Sequence, residues 1–189
     1  MCSACSEKQA VEDPVELESD NLVIHSKTPY ILGISVGDTI DEIQKIATSI
    51  NLREQVAEGL EYQVANLILA HGVEATATLD ELGRVYSIAT GSAIISDEYG
   101  LGVTSTLEDL KVHYPLSQFV VTSEFEGIPN AFFVTPGYLI FDFDPDQFPE
   151  GCYNWPRNCY YNDKDVIVSE LRVVNIDMTE HVKSLQDDK

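Results

Sequence analysis

Four cysteines are the side chains best suited to covalent chemistry, and they occur as two distant pairs. Cys152 and Cys159 are separated by six residues within an insertion, residues 145–165, that shows no regular hydrophobic period. This spacing in a loop favours a disulfide bond and therefore an oxidising compartment. The bond would stabilise the fold by roughly 2–3 kcal/mol. Two reduced thiols are the less favoured alternative, and zinc is weaker still because neither pair has histidines nearby.

Three alternating aspartates, Asp142, Asp144 and Asp146, form the strongest candidate for a metal site. In a strand, this spacing would place the carboxylates on one side, where their oxygens could bind a hard cation such as Ca²⁺. An EF-hand loop is excluded, because Gln147 occupies the position of its glycine and Tyr153 the position of its last acid. We favour an interpretation in which these acids face water, with calcium binding as the minor alternative.

No recognisable catalytic set accompanies these residues. The four histidines, at positions 25, 71, 113 and 181, are scattered without a paired spacing. The sequence contains no Gly-x-Ser-x-Gly elbow, and the segment 33–38 lacks the lysine with which a P-loop contacts phosphate. The sequence therefore predicts a protein that is not an enzyme and that uses no cofactor.

Aromatic side chains are concentrated around the second cysteine pair: Tyr153, Trp155, Tyr160 and Tyr161. Aromatic residues on a cross-linked loop are good anchors for a protein partner, because they offer a large contact area at a small entropic cost. The alternative, which we slightly favour, is that they cover the sheet and complete a small core.

The N-terminal sequence Met1-Cys2-Ser3-Ala4-Cys5-Ser6 is similar to the end of a bacterial lipoprotein signal, in which a cysteine is acylated after cleavage. We predict lipidation at Cys5, with Cys2 as the alternative, and expect Met1 to stand where a hydrophobic signal was removed. Residues 1–21 are acidic and poor in large apolar residues, which predicts a flexible tether. A redox or metal-binding Cys-x-x-Cys is less favoured, because no strand–helix pattern surrounds it.

The net charge of −21, from 32 acidic and 11 basic residues, restricts the classes of partner. Nucleic acid is disfavoured, because its phosphates require lysine and arginine. Direct adsorption to an anionic membrane is disfavoured for the same reason, so membrane association is expected only through a lipid anchor. A strongly solvated surface is the simplest interpretation, and a cationic partner is a minor alternative.

An internal repeat predicts the elements that position these residues. The segment Gly33–Gln44 is echoed 67 residues later by Gly100–Lys111. Each copy has two adjacent residues that can cap a helix, Asp38 or Thr39 in the first and Ser105 or Thr106 in the second. An acidic residue follows three positions after each of them, which is the spacing of a capping box. We therefore predict two repeats, residues 22–98 and 99–177, followed by a C-terminal tail at 178–189.

Each predicted helix is followed by three segments with the character of strands. The fold class is therefore predicted as α+β, a tandem duplication of a helix plus three-stranded antiparallel sheet unit, with the helices packed on one sheet face. The predicted strands are Tyr62–His71, Val73–Asp80 and Arg84–Thr90 in the first copy, Ala131–Thr135, Tyr138–Asp144 and Val166–Asn175 in the second, and a lead-in strand at Leu22–His25.

The order of elements resembles the RpoE-regulated lipoprotein family of Gram-negative envelopes. The resemblance rests on the tether after a lipobox-like cysteine, on Gly83–Ile88, on Gly100–Val103 leading into a helix, and on a long insertion before Val168–Val174. It implies a lipoprotein on the periplasmic face of the envelope, anchored in the outer membrane, with no catalytic residue.

A looser similarity links the duplicated units to β-lactamase inhibitory proteins and to the small lipoprotein of the β-barrel assembly machinery. Those folds present a sheet surface to protein partners, which is a fold-level analogy. The predicted function is therefore a non-catalytic envelope lipoprotein that contacts another envelope protein. The alternative is a secreted or periplasmic inhibitor or ligand-binding module.

Overall fold

The structure, a computed structural model, describes residues 22–57, 60–123, 129–149, 152 and 160–179. Strands are the main regular element in this part of the chain. The strands are β1 (Val23–Ile24), β2 (Tyr30–Ile31), β3 (Ile34–Ser35), β4 (Ser49–Ala57), β5 (Leu60–Ile68), β6 (Glu74–Leu79), β7 (Val85–Thr90), β8 (Ser96–Asp97), β9 (Gln118–Ser123), β10 (Pro129–Val134), β11 (Leu139–Phe143) and β12 (Val168–Val174). The α-helices are α1 (Ile40–Ile43) and α2 (Leu107–His113), and short 3₁₀ turns cover Ala70–Gly72 and Pro145–Gln147.

Eight of the strands form one antiparallel sheet in the order β4-β5-β6-β7-β12-β11-β10-β9. Every neighbouring pair in this order is antiparallel. The strands β7 and β12 meet at the centre, and in each half the chain runs from an edge strand, β4 or β9, inward to that junction. Two further ladders are small: β1 pairs in parallel with β8, and β2 pairs with β3.

The predicted α+β class, a duplicated helix plus three-stranded unit, is wrong. The molecule is mostly β, and each helix is followed by four strands that join a single eight-stranded sheet. The helices are short, with four residues in α1 and seven in α2. The prediction missed the edge strands β4 and β9, in part because Ile50 continues the helical spacing of Ile43 although the helix ends at Ile43.

The remaining strand predictions are confirmed in position. The six strands expected after the helices overlap β5, β6 and β7 in the first half and β10, β11 and β12 in the second, and the lead-in strand contains β1. The pattern of apolar residues was sufficient to locate these strands, because each of them buries side chains in the core.

The two echoed segments make matching contacts with the sheet. Before α1, the Gly37 amide donates to the Val85 carbonyl, and the Val85 amide donates to the Asp38 carbonyl, both at 2.8 Å. Before α2, Thr104 and Ser105 make the equivalent pair of bonds with Val168, at 3.0 and 2.9 Å. Each helix start is therefore fixed to the innermost strand of its own half, β7 or β12.

The hydrophobic core lies on one face of the sheet, beneath the helices and the N-terminal strands. It contains Ile43 of α1, Leu107 and Leu110 of α2, and Phe133 and Phe141 from the sheet, all fully buried. The opposite face carries neither helix. It is called the open face below, and it presents the side chains that a binding partner could reach.

Candidate functional site: the open face of the sheet

Strand register defines which side chains share the open face, because directly opposite residues of an antiparallel pair point to the same side. Thr76 of β6 lies opposite Ala89 of β7, and Ala89 lies opposite Arg172 of β12. Arg172 in turn lies opposite Ile140 of β11. This row crosses the centre of the sheet, and its members on β6 and β7 are small.

Two adjoining depressions occupy this face. One, of about 420 Å³, extends over β4, β5 and β6, and the other, of about 500 Å³, extends over β6, β7, β11 and β12. Both are lined by Thr76, Ala89 and Glu170. The depressions exist because short side chains line the central strands, while longer ones border them. Hydroxyl and amide groups from Thr78, Ser87, Asn51, Asn66 and Asn130 make the lining polar.

A charged pair lies within the second depression. The Arg172 guanidinium donates two hydrogen bonds to the Asp142 carboxylate, from Nε to Oδ2 at 2.9 Å and from Nη2 to Oδ1 at 2.5 Å. The Asp142 side chain is 15% exposed and that of Arg172 is 32% exposed. This bidentate geometry fixes the direction of both side chains in the depression.

Burial perturbs the two carboxylates of this cluster. Burial raises the pKa of Asp142, although the Arg172 charge and hydrogen bonds act in the opposite direction. Burial also raises the pKa of Glu170, with a further increase from the Asp142 charge and a decrease from Arg172. One guanidinium therefore lies beside two carboxylates and partly offsets the effect of burial on both.

The predicted metal ligands are not assembled into a cage. Asp142 faces Arg172, whereas the Asp144 side chain accepts a hydrogen bond from the Asp146 amide at 2.9 Å and caps the 3₁₀ turn. No three His, Cys, Asp or Glu side chains are grouped to hold a metal ion within the described ranges. Phe141 and Phe143, which alternate with the three aspartates, are buried in the core.

The structure places two of the four predicted aromatic anchors. Tyr160 is 85% exposed, whereas Tyr161 packs against Phe119 and Phe148 with ring centroids 5.6 and 5.3 Å apart. One aromatic side chain is therefore available to a partner and the other completes the core. Tyr153 and Trp155 lie outside the described residues.

Of the predicted cysteine sites, only Cys152 falls in the described part of the chain, where it is fully buried in the core. Its predicted partner Cys159 lies outside that part, as do Cys2 and Cys5, so the disulfide and lipidation sites stay predictions. The three described histidines, His25, His71 and His113, are exposed, and neither depression is lined by one of them.

A second buried carboxylate was missed by the sequence analysis. Asp97 is 1% exposed and accepts hydrogen bonds from the amides of Tyr99 and Leu101, both at 2.8 Å. The Tyr114 hydroxyl donates to its other oxygen at 2.5 Å. Asp97 directly precedes the turn that contains Gly100, the first residue of the repeated segment. That position was the signal in the sequence that could have identified it as a structural residue. Its role is to hold this turn against α2.

Comparisons with known proteins identify a fold and not a function. A crystal structure of YfeY, an uncharacterized protein from Escherichia coli, matches with a TM-score of 0.53 and 14% sequence identity. The match covers 81% of this chain and 99% of YfeY. No protein-family model matches the chain, and no curated protein matches it significantly. Identity this low supports a shared fold alone. None of the described helices has the length and apolar character needed to cross a membrane.

Proposed function

We propose that this protein is a non-catalytic lipoprotein of the bacterial envelope that binds another envelope protein through the open face of its sheet. The observation that carries the proposal is the continuous polar depression at the centre of that face, where Thr76 and Ala89 leave room between longer side chains. An antiparallel sheet can pack one face on the core and leave the other in contact with solvent, so this face is accessible to a partner.

The charge of the open face indicates the chemistry of the partner. Glu74, Glu170 and Asp142 contribute carboxylates to the lining of the depressions, and Arg172 contributes the guanidinium. The whole chain carries a net charge of −21. A partner surface with exposed lysine or arginine side chains is therefore complementary, and its approach would be accelerated by the field of the protein.

The envelope location rests on the sequence. The lipobox-like Cys5, with Cys2 as the alternative, and the pair Cys152 and Cys159 are both expected of a protein that is exported from the cytoplasm. The resemblance of the sequence to the RpoE-regulated lipoprotein family agrees with that location. We place the protein on the periplasmic face, anchored in the outer membrane by an acyl chain.

A ligand-binding module is the second candidate function. The depressions of about 420 and 500 Å³ lie within the size range of small-molecule sites, and hydroxyl and amide groups dominate their polar lining. A polar small molecule, rather than an apolar one, would fit this lining. The test of the main proposal separates the two candidates.

Site-specific photo-crosslinking in Gram-negative cells tests the proposal. A photoreactive residue at Thr76, in the depression, should give a discrete adduct with one envelope protein. The same residue at Val112, which is 69% exposed on α2, should not give that adduct. Ala89→Trp, which fills the depression, should abolish the Thr76 adduct without unfolding the protein. Equal adducts at both positions, an adduct that survives Ala89→Trp, or no adduct would contradict a protein partner on this face.

The intact mass of the protein made from its full-length gene in the same cells tests the envelope assignment. We expect a fatty-acylated N-terminal cysteine and, without reductant, two fewer hydrogens for the bond between Cys152 and Cys159. An unmodified chain with four free thiols would contradict both the lipid anchor and the oxidising compartment.

A further inference from the structure

The strand β4 forms one edge of the eight-stranded sheet, and within the described part of the chain its backbone is unpaired on one side. It pairs with β5 over nine residues, from Ser49 to Ala57, and no other described strand lies beside it. Ser49 and residues 51–56 are exposed, whereas Ile50 is half-buried against the core. In an antiparallel edge strand, alternate amides and carbonyls point away from the sheet, so this edge can form a ladder with an added strand.

The side chains of β4 on the core side form a short pattern of apolar, acidic and apolar residues. Leu52, Glu54 and Val56 share this side, because they alternate along the strand and Leu52 lies opposite the buried Ala65. Leu52 is 45% exposed and Val56 is 66% exposed. Two apolar side chains on an edge strand are a liability unless another surface covers them.

An acidic cavity adjoins this edge. Glu54 of β4 and Glu61 of β5 line it together with Asp80 and Glu81 from the turn after β6, and its volume is about 510 Å³. Among the described residues, the ion pairs involve none of these four carboxylates. The cavity therefore favours a cationic side chain, which would enter it from a strand placed beside β4.

We propose that the β4 edge binds an extended segment of another protein in which a lysine or arginine is flanked, two residues away on each side, by an apolar residue. In such a segment, backbone hydrogen bonds extend the sheet. The two apolar side chains lie opposite Leu52 and Val56, and the cation lies opposite Glu54 and reaches the acidic cavity. Cross-strand pairs of these two kinds are the stabilising pairs of antiparallel sheets.

A second copy of this chain fits the edge less well. If two β4 strands paired so that Leu52 of each copy lay opposite Val56 of the other, the symmetry would place the two Glu54 carboxylates directly opposite each other. Like charges in that position are destabilising. The charge of −21 on each copy adds a repulsion between the molecules. Charge complementarity therefore selects a basic segment over a second copy.

The test uses two synthetic peptides with blocked ends, Thr-Val-Thr-Lys-Thr-Val-Thr and the same peptide with Glu in place of Lys. Each is titrated into the isotopically labelled protein to about 1 mM, where weak strand addition is still detectable by amide chemical shifts. We expect the Lys peptide to shift the amides of residues 49–57 and to slow their hydrogen exchange. We expect it to bind at least tenfold more tightly than the Glu peptide.

Charge reversal separates the edge from the open face. Glu54→Lys should weaken the preference for the Lys peptide at least threefold, because it removes the acid directly opposite the cation. Glu74→Lys, an exposed acid that lines the first depression, is the matched control and should leave the preference unchanged. Because Thr76 crosslinking reports on the other surface, the two proposals can fail independently.

Three results would overturn the inference. The first is that neither peptide shifts the amides of β4, and the second is that both bind equally to the wild-type protein. The third is that the β4 amides already exchange slowly in the protein without peptide, and that this protection increases with the fraction of dimer measured by sedimentation. That result would make a second copy the occupant of the edge.

Discussion

Asp97 is a buried carboxylate whose partners are all neutral. Burial raises the pKa of Asp97, although the hydrogen bonds from Tyr114, Leu101 and Tyr99 act in the opposite direction. Burial and the hydrogen bond to Asp97 also raise the pKa of Tyr114. The tyrosine therefore holds its proton, and its role as the donor, more firmly than a free tyrosine does. The pair is one polar contact inside the hydrophobic core, so it should be sensitive to the loss of either partner.

Tyr114→Phe removes the donor and leaves one buried oxygen of Asp97 without a partner. We expect unfolding in urea to show a loss of about 2 kcal/mol near neutral pH. The loss should shrink toward about pH 4, where protonation removes the charge of the carboxylate. Tyr99→Phe is the matched control, because Tyr99 is 53% exposed and contributes its amide rather than its hydroxyl to Asp97. Equal losses in the two variants would contradict this role of the Tyr114 hydroxyl.

The ion pair between Asp142 and Arg172 gives the corresponding prediction on the open face. Arg172→Met keeps an apolar stem of similar length but leaves the Asp142 carboxylate without its bidentate partner. We expect a loss of about 2–3 kcal/mol in the free energy of unfolding. Adding Asp142→Asn to that variant should recover part of the loss, because the unpaired charge disappears. Additive losses in the double variant would show that the two side chains act independently.

At the scale of elements, local chemistry predicted the helix starts well. In α2, the Thr106 hydroxyl accepts a hydrogen bond from the Asp109 amide, and the Asp109 carboxylate accepts from the Thr106 amide. In α1, the Glu42 carboxylate accepts from the Thr39 amide at 2.8 Å. These contacts join residues three positions apart, so the sequence contains all the information they need.

The edge strands illustrate what local pattern could not supply. In β4, Ile50, Leu52 and Val56 alternate, but Glu54 interrupts the series because the strand extends beyond the part of the sheet that the core covers. An edge strand buries less of each side chain than a central one, so its hydrophobic signal is weaker. The alternation of three residues was still the signal that could have revealed β4.

Gly100 provides a test of the turn that precedes α2. Its φ of 78° lies in the left-handed region, and a Cβ there would meet no atom within 4 Å. The expected cost of Gly100→Ala is therefore backbone strain alone, about 1 kcal/mol, measured by urea unfolding. Gly91→Ala is the control, since Gly91 has no positive φ and its added Cβ would lie 3.4 Å from the Ser169 carbonyl oxygen. A loss at position 91 that matched or exceeded the loss at position 100 would contradict the strain argument.

At the scale of the whole molecule, the repeat predicted two related halves but not their union in one sheet. The central pairing of β7 with β12 brings Ile88 opposite Val173, residues far apart in the chain. No local hydrophobic period or turn specifies this contact. On the sequence alone, β7 and β12 could equally have been edge strands of two separate sheets. The depressions of the open face depend on that pairing, because residues of both halves line each of them. The candidate site could therefore not be predicted from motifs.

Charge is the other property of the whole molecule, and it makes stability depend on pH and salt. The pKa values of Asp97, Asp142 and Glu170 are raised by burial in the folded state. Between the unfolded and folded pKa of such an acid, the native state binds more protons than the unfolded state. Stability from these groups is therefore complete below the unfolded pKa and is lost as the pH rises through the folded pKa.

Two groups of the helix starts act in the opposite direction. The hydrogen bonds from Thr39 lower the pKa of Glu42, and those from Thr106 lower the pKa of Asp109. Their contribution is present above the unfolded pKa of about 4 and is lost as the pH falls through the folded pKa. Maximal stability should therefore lie at mildly acidic pH, above the point at which these caps are protonated.

Repulsion between the acidic groups of a chain of net charge −21 further destabilises the folded state at high pH, and salt screens this repulsion. We expect the midpoint of thermal unfolding to rise by several degrees when the pH is lowered from about 8 to about 5.5 at low ionic strength. About 0.5 M NaCl should raise the midpoint at the higher pH more than at the lower one, because more carboxylates are ionised there. Asp97 is 1% exposed and is screened little by salt, so part of the pH effect should persist when the surface charge is screened. A midpoint independent of pH in high salt would assign the whole effect to surface repulsion and would contradict the raised pKa values of Asp97, Asp142 and Glu170.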